Sequence, residues 1–123
     1  MSKKVLLVGH CGSDSTYLRI AVSAAAKGAV IIPVDDATTL RDALEAGADL
    51  VLVNRQLDFG FDTDEGVELI RQLRAAHPGL KMMLVSNYPD AQQAAIQAGA
   101  LAGFGKRELG TPRVKEILLS ALQ

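Results

Sequence analysis

The chain has 123 residues, about the length of one compact domain, and its 49% hydrophobic and 22% charged residues exclude intrinsic disorder. Thirteen basic against fourteen acidic residues leave a net charge of -1, and aromatics reach only 4%; this argues against partners that are nucleic acid or anionic membrane. The single cysteine, Cys11, precludes a disulfide framework, and no run approaches the ~20 apolar residues of a membrane span, so one domain over residues 1–123 is expected in a reducing cytoplasm.

In chain order, the first apolar run is Val5-Leu6-Leu7-Val8, followed by a helical stripe at Leu18, Ala21, Val22 and Ala25 that stops near Gly28. Val30-Ile31-Ile32-Pro33-Val34 is the second run, and Pro33 predicts an edge position, since proline cannot donate to the ladder. Leu40, Ala43 and Leu44 form the next stripe, ended by Gly47. Leu50-Val51-Leu52-Val53 leads through an acidic loop to a helix with Leu69, Ile70, Leu73 and Ala76 on one face, for which Asp64 reads as the N-cap. His77-Pro78-Gly79 closes it. Met82-Met83-Leu84-Val85 is the fourth run, with both methionines expected as core filler. An alanine stripe at Ala91, Ala94, Ala95 and Ala98 follows, with Asp90 and Gln93 resembling a capping box and Gly99 at the stop. Leu101-Ala102-Gly103-Phe104 is the fifth run. Thr111-Pro112 then opens a last helix carrying Val114, Ile117, Leu118 and Ala121.

The first four runs are unbroken, which is the pattern of parallel strands covered on both faces. Strict alternation with right-handed crossovers predicts an α/β fold, a flavodoxin-like (βα)5 doubly wound sheet of five parallel strands in the order 2-1-3-4-5 with helices on both faces. In such a sheet the crevice lies beyond the carboxyl ends of the strands. The residues placed there are Gly9-His10-Cys11-Gly12-Ser13, Asn54-Arg55, Ser86-Asn87-Tyr88 and Gly105-Lys106-Arg107.

Taken together, Ala48-Asp49-Leu50-Val51-Leu52-Val53-Asn54, Gly66-Val67-Glu68-Leu69-Ile70, Val85-Ser86 and Gly99 to Lys106 resemble, in order and spacing, the receiver domains of two-component response regulators. The resemblance covers the whole chain. It implies a carboxylate at the end of strand three as phosphoacceptor, two acids after strand one for Mg²⁺, and a Ser or Thr and a Lys that bind the phosphoryl oxygens. Ser86 and Lys106 match the last two, and Phe104 stands where a switching aromatic is common. The acceptor position is Asn54, however, and the acidic pair is Gly9 and His10. A carboxamide has no ionised oxygen to attack phosphorus, glycine offers no ligand, and imidazole suits Mg²⁺ poorly. Lys106 is therefore expected to face a crevice with no acid beside it. The loop from Asn54 to Gly66 is longer than the family pattern, and its Asp58, Asp62 and Asp64 are candidates for a displaced acid, although acidic loop residues are usually solvated turn formers.

These departures lead to an expectation of a stand-alone pseudo-receiver, without cofactor, metal or enzymatic activity, acting through protein partners. The surface that the resemblance implies is helix four, strand five and helix five, with Gln92, Gln93 and Gln97 exposed beside Lys106, Arg107, Arg113 and Lys115, and a homodimer there is one form of that contact. The alternative is a small-anion or nucleotide sensor built from Gly12, Ser13, Ser86 and Lys106, because a glycine-containing loop opening a helix favours an anion. His10 and Cys11 are too few soft ligands for a metal site, and Cys11 is expected as a partly buried, inert thiol.

Overall fold

A computed structural model describes residues 2–58 and 60–123. Five parallel strands, β1 (Lys4–Val8), β2 (Val30–Val34), β3 (Leu50–Asn54), β4 (Met82–Val85) and β5 (Leu101–Phe104), form a sheet in the order β2-β1-β3-β4-β5. They alternate with α1 (Gly12–Ala25), α2 (Ala37–Ala46), α3 (Gly66–Ala76), α4 (Pro89–Ala98) and α5 (Pro112–Ala121), as the flavodoxin-like pattern requires.

Within the three central strands, residues 5–8, 50–53 and 82–85 are apolar throughout because each face has its own layer. Leu6, Val8, Val51, Val53, Met82 and Leu84 pack with Leu40, Leu69, Ile70 and Ala95 of α2, α3 and α4. The alternate residues Val5, Leu7, Leu50, Leu52, Met83 and Val85 pack with Leu18, Val22, Val114 and Leu118 of α1 and α5. Each such side chain contributes about 1.5–3 kcal/mol when removed from water. β2 corrects the expectation of two covered faces. It is an edge strand, as Pro33 predicts, and Val30 and Pro33 are exposed.

β5 breaks the period of two. Met83 pairs with Leu101 but Val85 with Phe104, so an extra residue bulges from β5. The bulge turns Phe104 into the α1/α5 layer, where it is fully buried. Gly103 is left beneath α4. The side chain of Gln92 lies over it, with Nε2 at 2.9, 3.0 and 3.2 Å from the carbonyls of Leu84, Ser86 and Phe104. A Cβ at position 103 would collide with the Leu84 carbonyl and approach Gln92 Oε1 to 3.0 Å.

Helix ends follow the sequence in part. Gly28, Gly47 and Gly99 have the positive φ expected of them, and Thr111 precedes Pro112 at the start of α5. Asp36 caps α2 by accepting from the Thr39 N–H at 2.7 Å. Two expected caps are displaced. Pro89 takes the first position of α4, so Tyr88 is its N-cap and Asp90 lies inside the helix. Glu65 is the N-cap of α3, because the carbonyl of Asp64 is engaged by the Leu57 N–H at 2.9 Å. Ala76, expected on the apolar face of α3, is exposed in its last turn. Among the described residues, no helix is long and apolar enough to cross a membrane.

Gly103→Ala should lower the unfolding free energy by about 1–3 kcal/mol in urea denaturation, since neither the Leu84 backbone nor the pinned Gln92 can retreat. Gly79→Ala, whose missing Cβ faces open space, should change it by less than ~0.5 kcal/mol.

Candidate functional site

The carboxyl ends of β1, β3, β4 and β5 converge, and the loops that leave them set the chemistry. The long β3–α3 loop turns back on itself through a bridge between Gln56 and Glu65, and the Gly60 carbonyl takes the Ala37 N–H at 2.7 Å. This pins the loop across the start of α2 and drives Leu57 into the core. Leu57 explains Gly9. That residue has φ +76°, and a Cβ there would run into Leu57 Cδ2. The space that a first acidic side chain would need is filled by hydrocarbon.

His10 turns inward. It is 7% exposed, and its Nε2–H donates to the Leu52 carbonyl at 2.9 Å. That bond leaves the proton on Nε2, while Nδ1 is buried without a partner. Loss of hydration pushes the imidazole down to about 4, so His10 is neutral near pH 7. His10 is therefore an interior residue.

Asn54 is tied down as well. Its Nδ2 donates to the Gly9 carbonyl at 3.1 Å and the Gln56 carbonyl at 3.0 Å, which joins β1, β3 and the long loop. The amide is used as a donor toward two carbonyl oxygens, a role that a carboxylate cannot take.

Lys106 overturns another expectation, for it does have an acid. Its Nζ lies 2.6 Å from Asp14 Oδ2 in the first turn of α1. The ammonium holds the Asp14 carboxyl below the usual carboxylate range, with help from the Cys11 side chain. Cys11 itself is exposed and not partly buried.

Ser86 is buried. Its N–H donates to the Phe104 carbonyl at 3.0 Å, and its Oγ accepts from the Tyr88 N–H at 3.1 Å. Ser86, Asn54, Asn87 and Lys106 line a cleft of about 140 Å³, beside which the Arg55 guanidinium sits 4.6 Å from the centre of the Tyr88 ring. Gly12 and Ser13, expected to join Ser86 and Lys106 around an anion, do not line that cleft and are exposed on α1. Of the loop acids, Asp58 borders a neighbouring cavity of about 290 Å³ together with Asp14 and Asp35. Asp62 faces the groove between α2 and α3 instead.

The residues present do not fit Mg²⁺. Among the described residues no group of three or more His, Cys, Asp or Glu side chains is placed to hold a metal ion, and Asp14 is committed to Lys106. Sequence reasoning missed Asp14 and Leu57. An acid in the first turn of a helix that starts at the sheet edge was the available signal for Asp14, and a lone leucine in a polar loop was the signal for Leu57.

The solved structures similar to this chain include response-regulator receiver domains. The receiver domain of a two-component system response regulator from Bacteroides fragilis matches with a TM-score of 0.78 and 19% identity, over 100% of this chain and 98% of that one. A response regulator from Thermotoga maritima matches at 0.74 and 23% identity, over 99% and 98% of the two chains. NtrX from Brucella abortus matches at 0.77 and 21% identity over 99% of this chain, which spans 28% of that protein's length. No family model and no curated protein matches the sequence. The fold is that of a receiver domain.

Two consequences are measurable. The His10 imidazole has a pKa of 6.5 before folding and about 4 after it, so the unfolded chain takes the proton first. Stability should be complete above pH 6.5 and fall by about 3 kcal/mol as pH drops toward 4. His10→Gln should flatten that slope in denaturant titrations run across the window. Asn54→Asp should lower stability at pH 7 by about 1–3 kcal/mol in thermal or urea unfolding, because it sets a carboxylate against the carbonyls of Gly9 and Gln56.

Proposed function

We propose that the chain is a receiver-type module of two-component or phosphorelay signalling in the cytoplasm, and that it acts through protein contacts without aspartyl phosphorylation or Mg²⁺ binding. The observation that carries this reading is the bonding of Asn54. Phosphoryl transfer to a receiver needs an ionised oxygen at that place, in line with the phosphorus and flanked by a metal. Here a neutral amide is turned toward two backbone carbonyls, Leu57 fills the space beside Gly9, and His10 faces the interior.

Without a phosphoryl group there is no reaction to catalyse, and what is left to transmit is surface. The side formed by α4, β5 and α5 suits a protein partner. Leu101, Ala102 and Ile117 line an open groove of about 490 Å³, rimmed by Lys81, Arg113 and Glu116. An apolar floor with charged margins of both signs is the usual composition of a protein contact. Gln92 locks α4 onto β4 and β5, so this surface is preorganised and needs no ligand at the cleft to form.

Incubation of the chain with a small phosphodonor, such as phosphoramidate, and excess Mg²⁺ should leave its intact mass unchanged. A stoichiometric phosphoryl adduct would overturn the proposal.

A further inference from the structure

We infer that the groove between α2 and α3 is a binding site for a free α-amino acid with an apolar side chain, held as its zwitterion. The groove is on the opposite face of the sheet from α1 and α5, and the inference needs none of the readings above.

The groove exists because α2 is thinly packed. Among the described residues of α2, Leu40 alone is buried, while Ala43 and Leu44 meet the core half-buried. Opposite them α3 presents Leu69 and Leu73. The space left between the two helices is about 250 Å³, and these leucines form its floor. One end is made by the long β3–α3 loop. The bond from the Ala37 N–H to the Gly60 carbonyl carries that loop over the start of α2, which brings Phe61 and Asp62 into the lining. His77 closes the other end, where α3 stops.

The charges at the loop end identify the ligand. Asp62 comes from the loop, and Arg41 stands on α2 one turn beyond Ala37. Both are exposed, both line the groove, and among the described residues neither takes part in an ion pair. A ligand of a single sign would be attracted by one of these groups and repelled by the other. A zwitterion satisfies both, with its carboxylate on the Arg41 guanidinium and its ammonium on the Asp62 carboxylate, each contact a charge-assisted hydrogen bond. The side chain then runs along the groove onto the leucines, where removal from water favours a branched aliphatic or aromatic group. Size sets the limit, since pockets that take drug-sized ligands span about 300–1,000 Å³, and the 250 Å³ here suits a single amino acid and not a nucleotide. Phe61 and Asp62 belong to the loop that exceeds the receiver pattern, so the head-group end of the site is a property of this chain and not of the fold.

The test is an NMR titration of the full chain at pH 7. L-leucine and L-phenylalanine, each raised to about 10 mM, should give saturable amide shifts confined to α2, α3 and the β3–α3 loop. 3-Phenylpropionate lacks the ammonium and phenethylamine lacks the carboxylate. Each should bind about tenfold or more weaker than phenylalanine, because each forfeits one charge-assisted hydrogen bond. Arg41→Ala should weaken phenylalanine by about tenfold without weakening phenethylamine, and Asp62→Asn should weaken it similarly without weakening 3-phenylpropionate. Both residues are exposed, so circular dichroism and the urea midpoint should stay those of the parent chain. Absence of saturable shifts with either amino acid, shifts centred on another face, or equal binding of phenylalanine and both analogues would overturn the inference. So would binding of phenylalanine that is indifferent to Arg41→Ala and Asp62→Asn.

Discussion

An ammonium group at the mouth of a parallel sheet needs an anion, and much of this site follows from where the anion comes from. Lys106 leaves the end of β5 and is two-thirds shielded from water, with 32% of its side chain exposed. The end of β3 offers only the amide of Asn54, and the end of β1 offers glycine and a neutral imidazole. The charge is met by Asp14, one turn into α1. A partly exposed pair of this kind contributes about 1 kcal/mol at most. Its larger effect is chemical, since it leaves Lys106 with a resident counter-ion and Asp14 with a resident cation. Any anion or metal arriving at the cleft must compete with that pair.

The neutral residues around it form one unit. A longer β3–α3 loop places Leu57 against β1, and only glycine at position 9 leaves room for it. With no side chain at Gly9, the backbone carbonyl is open to the Asn54 amide, which also grips the loop at Gln56. His10 then points into the interior and closes on Leu52. Restoring a carboxylate at any one position would strand it against carbonyls or hydrocarbon, because the other positions are built for neutrality. The departures from the receiver pattern are thus coupled through contact and act as a single change of chemistry.

The strands were legible because burial on both faces leaves unbroken apolar runs, and the helices because one-sided burial leaves stripes. What was not legible was governed by contacts distant in sequence or by one inserted residue. Phe104 reads as an aromatic at a strand end, yet the bulge in β5 decides its face, and no local pattern announces a bulge. Asp90 with Gln93 satisfies the letter of a capping box, but Pro89 is pre-set for the first helical position and moves the boundary back. The partnership of Asp14 with Lys106 joins the first helix to the end of the last strand, and the place of Asp14 in the first turn of α1 signals only one half of it. The edge character of β2 was legible in Pro33, whose missing donor can be tolerated only where the ladder ends.

The same ion pair has a consequence for shape. Asp14 opens α1, and Lys106 begins the short 3₁₀ turn that leads to α5. The two walls of the α1–α5 groove are therefore tied together at one end by Asp14 and Lys106, and along their length by the packing of Leu18 and Val22 against Val114 and Leu118. A groove held at its mouth by charge and along its floor by hydrocarbon keeps a fixed width. The ion pair at the mouth of the sheet thus also braces the first turn of α1 against the turn that leads to α5.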